Sequence, residues 1–169
     1  MRFPLRDVIP SRTRPLVTLS SAAIGATALL VMYPAPVTFG FILLNALPLL
    51  VFGETVEDQL GHGRHLVLLG TAATTGFLLS GVPGIFAALA AAVIGAHLSL
   101  FPTSRILLTL WVQLVEIPSF FLMGCWLFTM VVLPGPRVAV AAMLVAGAAS
   151  ARLLRQPHHA RWDHFDLLP

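Results

Sequence analysis

Six long apolar runs, separated by short polar or proline-rich segments, are the main pattern along the chain. The hydrocarbon core of a bilayer takes about 20 apolar residues per helix. Since no backbone polar group can stay unpaired in hydrocarbon, these unbroken runs predict helices. The expected fold class is all-α, a polytopic membrane protein with six transmembrane helices. The predicted spans are about Leu16–Tyr33, Val37–Phe52, His65–Ser80, Ile85–Phe101, Ile106–Leu133 and Val138–Leu154.

The segments between the runs predict where the chain turns. YPAP, GVPG, PTSR and PGPR are expected to be tight turns, and GETVEDQLGHGR a longer polar loop. Pro48 and Pro118 lie inside predicted spans and are expected to kink them. The chain shows no internal repeat. Its expected domains are a cytoplasmic N-terminal arm at 1–15, a six-helix membrane domain at 16–155 and a cytoplasmic C-terminal tail at 156–169.

Composition supports the membrane class, and charge sets the orientation. Of the 169 residues, 57% are hydrophobic and 10% charged, and the mean hydropathy is +0.90. All ten basic residues are Arg. With the N-terminus in the cytoplasm and six spans, every Arg except Arg137 faces the cytoplasm, as the positive-inside rule expects. Most of the Arg residues flank apolar runs, so their expected partners are membrane lipids rather than nucleic acid.

Two further features bear on targeting and redox chemistry. Cys125 is the one cysteine of the sequence, so an intramolecular disulfide is excluded. No cleavable signal peptide is expected, because polar residues precede the first apolar run and no small-residue cleavage site closes that run. The expected location is the inner (plasma) membrane of a bacterium, with both termini in the cytoplasm.

Several stretches, in order, resemble the rhomboid family of intramembrane serine proteases. They are PLRDVIPSRTRPLVT, NALPLLVFGETVEDQLGHGRHL, GAHLSLFPTSRILLTL, VEIPSFFLMGCWLF and GAASARLLR. The most specific is FGETVEDQLGHGR. The resemblance covers nearly the whole chain. It implies a rhomboid-like bundle of six helices and a family activity of intramembrane serine endopeptidase, with no cofactor and no metal.

The resemblance also shows what the chain lacks. The family nucleophile, a Ser on the fourth helix, lies eight residues before the Gly of the GAHL-like element, and that position here is Ala87. Moving the register by one helical turn places Pro83 there instead. The family base, a His on the sixth helix, corresponds to Val140. The family's oxyanion pair on the second helix corresponds to Phe41 and Asn45, so the Asn is kept and the His is not.

A loop is missing as well. Active rhomboids carry a long, partly embedded loop between the first two helices, whereas here only YPAP joins them. Serine proteolysis needs a nucleophilic oxygen, a base and oxyanion donors, and loss of these groups leaves little beyond binding. His97 and Ser99 do not replace them, because residues two apart point to different faces of a helix. The sequence therefore predicts that peptide hydrolysis is absent.

The remaining candidate residues are interpreted as packing and scaffold groups. Small residues four apart let helices approach closely in a bilayer. Glu116, inside the fifth apolar run, is expected to be a neutral or paired structural group rather than a client contact, although an ionisable group at membrane depth also suggests function. The polar loop is interpreted as a hydrogen-bonded turn rather than a metal site, and the histidine-rich tail as solvated. The packing and scaffold residues are Ala91, Gly95, Gly147, Glu116, Glu57, Asp58, Gly61 and Arg64.

Two functions from different classes are therefore compared. The first is a rhomboid-like pseudoprotease that binds transmembrane helices of client proteins, as inactive members of the superfamily do, against its second and fifth helices. The second is an active rhomboid protease with a displaced or misaligned active site. A small transporter or channel has little support, because the spans lack a ladder of ionisable residues.

Overall fold

The computed structural model describes residues 5–7, 14–110, 113–132 and 135–154. These residues form five helices and three short strands, so the predicted helical class holds with the addition of a small sheet. The predicted tail lies outside the described residues, as does most of the predicted N-terminal arm. In chain order the elements are β1 (Leu5–Asp7), α1 (Leu16–Met32), α2 (Pro36–Leu60), α3 (His62–Leu100), β2 (Arg105–Leu110), β3 (Gln113–Pro118), α4 (Ser119–Val132) and α5 (Arg137–Leu154).

Helix α3 reverses direction at Gly81, which has a φ of 68° and a ψ of −158°. A side chain at Gly76 would overlap the carbonyl oxygen of Gly84, and one at Gly84 would overlap that of Gly76. In a straight helix these residues would lie about 12 Å apart. The two arms of α3, residues 62–80 and 82–100, therefore pack side by side and antiparallel. They correspond to the predicted third and fourth spans, with the reversal inside the predicted GVPG turn.

The prediction that GETVEDQLGHGR forms a polar loop is wrong. Helix α2 continues through most of it to Leu60, and α3 begins at His62. Gly61 alone separates the two helices, with a φ of 79° that glycine adopts without strain. The polar residues of this segment therefore lie on helices, and some of them face the interior.

The predicted fifth span is also wrong over its first half. Residues 105–110 and 113–118 form the antiparallel strands β2 and β3 instead of a helix, and β1 pairs with β2 to give the sheet order β1-β2-β3. Pro118 is the last residue of β3 and α4 starts at Ser119. Proline disfavours helical conformation in the residue before it, so Pro118 marks a helix start here and not a kink.

The elements define two ends of the bundle. The polar end contains the start of α1, the Gly61 junction, the end of α3, the sheet, the start of α4 and the end of α5. Contacts that join these elements include the rings of Phe52 and His97, whose centroids are 4.6 Å apart, and Arg64 with the carbonyl oxygen of Leu154. The opposite end contains the α1–α2 turn, Gly81 and the start of α5.

Helix length and composition fit a membrane protein. Among the described residues, α2, α3 and α5 are each long and apolar enough to cross a membrane, while α1 and α4 are shorter apolar helices. Large apolar side chains on all five helices face outward. An apolar exterior of this kind is stable in lipid, where no water is present to penalise it.

Candidate functional site

The most extensive helix interface among the described residues joins α3 to α5. A Cβ atom at Gly95 would overlap the carbonyl oxygen of Leu144, and one at Gly147 would overlap that of Ala92. The two backbones therefore touch at this crossing. Small residues permit such an approach in a bilayer, where close packing rather than water exclusion holds helices together.

Ala87 and Val140 lie at one level of this interface. The C-terminal arm of α3 and helix α5 both run from the opposite end of the bundle toward the polar end. A Cβ built at Gly95 would lie 3.0 Å from the backbone nitrogen of Ala148, so these two residues are neighbours across the interface. Because the two helices run in the same direction, the residues eight positions earlier, Ala87 on α3 and Val140 on α5, lie at the same height. Ala87 and Val140 are both buried. Their side chains hold only methyl groups, which supply neither a nucleophile nor a proton acceptor.

Asn45 is fully buried on α2, with its amide group directed to its own helix. Its Nδ2 donates to the carbonyl oxygen of Phe41 at 2.8 Å. Its Oδ1 has no hydrogen-bond partner among the described residues. The assignment of oxygen and nitrogen in such an amide follows the hydrogen-bond pattern. This bond uses one of the two hydrogens on Nδ2, and it fixes the amide against its own helix.

Glu57 is the centre of a buried network at the polar end. Its carboxylate accepts hydrogen bonds from the backbone nitrogens of Val17 at 3.0 Å and Thr18 at 2.9 Å, and from the Thr18 hydroxyl at 2.7 Å. The Nδ1 of His62 lies 2.7 Å from the same carboxylate. The hydroxyl of Thr18 is also 3.0 Å from Nε2 of His65. Glu57 thus caps the first turn of α1 from another helix, where the helix dipole favours a negative charge.

The other predicted scaffold residues lie near this network. Arg64 donates from Nη1 to the carbonyl oxygen of Leu154, at 2.6 Å, and so caps the end of α5. Asp58 is half-buried on α2 and Gly61 makes the junction to α3. Within the described part of the chain, no three His, Cys, Asp or Glu side chains are grouped so as to hold a metal ion.

Glu116 does not occupy the buried position that the sequence predicts. It lies on β3, and its side chain is 52% exposed. Its Oε2 is 2.9 Å from Nη1 of Arg105, whose side chain is 64% exposed. The predicted depth is wrong because the segment is a hairpin at the polar end and not part of a membrane helix. Glu116 is paired, but as a surface ion pair of small energetic weight.

A second polar network was not predicted from the sequence. The Nε2 of His97 is 2.7 Å from the hydroxyl of Ser104, and that hydroxyl donates to the hydroxyl of Ser119 at 2.6 Å. The backbone nitrogen of Ser119 also donates to the carbonyl oxygen of Ser104. Ser99, the serine weighed as a partner for His97, instead donates to the carbonyl oxygen of Ala96. The sequence feature that could have indicated this network is the pair Ser104 and Ser119, which lie directly before and after the two strands.

Comparison with known protein families identifies the family of this chain's membrane domain. A family model described as the Rhomboid domain matches residues 37–155, which include α2 to α5 and the hairpin. No curated protein and no solved structure matches the chain. The matched range contains Ala87, Val140 and Asn45, together with Glu57.

Proposed function

The chain belongs to the rhomboid family, and we propose that it is a proteolytically inactive member that binds the transmembrane segments of client proteins. Family membership and the apolar helices make it an integral membrane protein. Inactivity and client binding are the proposed parts.

The observation that carries the proposal is the chemistry at the level of Ala87 and Val140. Acyl transfer by a serine enzyme requires an oxygen nucleophile and a base within hydrogen-bond reach of it. At this level α3 and α5 present methyl groups, and both residues are buried. Serine proteolysis at these two positions would lack both a nucleophile and a base, which supports client binding rather than peptide cleavage as the proposed function.

The proposed topology has six spans, with the polar end in the cytoplasm. The two arms of α3 run antiparallel, so α3 supplies two of the six spans. Of the Arg residues in the described ranges, Arg6, Arg14, Arg64, Arg105 and Arg152 lie at the polar end, and Arg137 begins α5 at the opposite end. This separation supports the proposed orientation, because cytoplasmic segments carry the excess of Arg.

The proposed client surface is formed by α2 and α4, the second and last but one of the helices. Helix α4 makes few contacts with α2 and α5, whereas α3 and α5 share the most extensive helix interface of the described chain. A sparsely packed helix separates from its neighbours at low cost, because few contacts are lost. Both helices also direct large apolar side chains outward. On α2 these are Val37, Phe39, Leu43 and Leu47, and on α4 they are Phe120, Phe121, Leu127, Phe128, Val131 and Val132.

A photo-crosslinking scan tests client binding. A photoreactive residue at Leu43 on α2 or at Phe128 on α4, each 70% exposed, is expected to give covalent adducts with membrane proteins in cells. Ile24 on α1 and Val145 on α5 are matched controls with the same 70% exposure, and they are expected to label lipid alone. Adducts are measured by mass shift and proteomics. Equal protein labelling at all four positions, or none at any, contradicts the proposal.

A cleavage assay tests inactivity against the alternative of a displaced protease site. The Ser–His contact of Ser104 and His97 does not supply the family site, because His97 lies ten residues beyond Ala87, about 15 Å along the helix. The wild-type chain in proteoliposomes is therefore expected to leave transmembrane substrates intact. Cleavage that a single Ser→Ala change removes would establish the protease instead. Cleavage gained by Ala87→Ser with Val140→His, but by neither change alone, would show that the helices still align these positions.

A further inference from the structure

We propose that Ser104 is a nucleophilic serine and that His97 is its general base, at a site separate from the family's own. The nucleophile and the base are in contact, since Nε2 of His97 lies 2.7 Å from the Ser104 oxygen. A nucleophile and a base within hydrogen-bond reach are the signature of an activated serine. The proposal concerns the polar end of the bundle and does not depend on client binding.

The surroundings of the pair fix its geometry. His97 is fully buried, and the rings of Phe52 and Phe101 lie 4.6 Å and 5.3 Å from its own ring. These rings shield the base from water and hold its orientation. Ser104 is half-buried and lies past the end of α3, at the polar end of the bundle. The arrangement places a shielded base behind a partly exposed serine.

Ser119 extends the hydrogen-bonded chain beyond Ser104. Its hydroxyl lies 2.6 Å from that of Ser104, and its side chain is buried at the start of α4. Hydroxyl hydrogens rotate, so the same oxygens also support a chain in which Ser119 donates to Ser104 and Ser104 donates to Nε2. In that polarity the Ser104 proton points at its acceptor, which is the arrangement needed for attack.

The reaction that follows is acyl transfer from a carboxylic ester. The Ser104 oxygen forms a bond to the acyl carbon while its proton passes to Nε2. The bond from that carbon to the alcohol oxygen breaks, and His97 returns the proton to the leaving alcohol. Water then attacks the acyl carbon and gives a proton to Nε2. The bond from that carbon to the Ser104 oxygen breaks, His97 returns the proton to Ser104, and the carboxylic acid is released. Esters in the headgroup layer are the substrate class, a choice that rests on the proposed membrane placement, whereas the reactivity of Ser104 does not.

Labelling with a fluorophosphonate probe tests the site in the full-length protein in lipid nanodiscs. The Ser104 oxygen displaces fluoride from phosphorus and His97 takes the proton, so the wild type is expected to be labelled on the peptide that contains Ser104. Ser104→Ala is expected to abolish labelling. Ser99→Ala is the matched control and is expected to label at the wild-type rate, because Ser99 bonds only its own helix in the described structure.

His97→Gln separates a reactive role from a merely structural one. Glutamine keeps a hydrogen bond to Ser104 but takes no proton, so the labelling rate is expected to fall about 100-fold while the thermal unfolding midpoint stays close to that of the wild type. Failure of the wild type to label, labelling at another serine, or an unchanged rate in His97→Gln would each overturn the proposal. Hydrolysis of a fluorogenic short-chain ester, lost in Ser104→Ala, is the expected companion result.

Discussion

Replacing Glu57 with Ala is expected to lower the free energy of unfolding by about 3–5 kcal/mol. The carboxylate accepts from two backbone nitrogens and a hydroxyl of the first turn of α1, and it also contacts His62. Truncation leaves the backbone nitrogens of Val17 and Thr18 without this acceptor, and each unsatisfied buried group costs about 1–3 kcal/mol. The total is below the sum of the parts because the Thr18 hydroxyl still reaches His65.

Chemical and thermal unfolding in detergent micelles measures the loss of unfolding free energy, and two further variants serve as comparisons for Glu57→Ala. Glu57→Gln keeps the shape and one acceptor but turns an NH2 group toward a backbone donor, so it is expected to cost roughly 2 kcal/mol. Glu116→Ala removes a carboxylate from an exposed ion pair and is expected to cost less than about 1 kcal/mol. Equal losses in Glu57→Ala and Glu116→Ala would contradict the role assigned to Glu57.

The importance of the segment around Glu57 could be predicted from the sequence, but its structure could not. FGETVEDQLGHGR was the most specific stretch of the resemblance, and Glu57 was predicted to be a scaffold residue. Its polarity suggested a loop. Glu57 instead lies on α2 and accepts hydrogen bonds from the first turn of α1, which has no side-chain cap of its own. These bonds are tertiary contacts between two helices, and a local sequence pattern does not show them.

The hairpin shows a different limit of pattern reading. Residues 106–117 are mostly apolar, and an apolar run alone does not distinguish a membrane helix from strands. Pro118 was the available signal, because the residue before a proline favours extended backbone. Because Pro118 was interpreted as a kink, the strands before it and helix α4 after it were predicted to be one span. The depth assigned to Glu116 followed from that error.

The packing of the other helices was more accessible from the sequence. The GVPG turn contains the reversal at Gly81, and the two arms of α3 correspond to two predicted spans. Ala87 and Val140 were matched to the family site by counting from Gly95 and Gly147, which both lie at the crossing of α3 and α5. That these positions replace a nucleophile and a base stays a prediction. It succeeds or fails with the cleavage assay.

Gly147→Leu is expected to abolish the compact fold. The α3 backbone fills the space where the new side chain would start, since a Cβ at this position overlaps the Ala92 carbonyl oxygen. Backbone atoms cannot rotate away as a flexible side chain can, so α3 and α5 must separate along the most extensive interface of the described chain. Gly147→Ala places one methyl group there and is expected to cost about 1–3 kcal/mol.

Gly124→Ala on α4 is the matched control for these variants. Gly124 is exposed, and a Cβ built there meets nothing within 4 Å. Alanine in an exposed helix interior is expected to stabilise the protein by about 0.5–1 kcal/mol, because it restricts the unfolded chain. The same gain applies at Gly147, so the difference between the two alanine variants isolates the cost of parting the helices. Stabilisation of similar size in both, measured by unfolding in micelles, would show that α3 and α5 do not touch at this crossing.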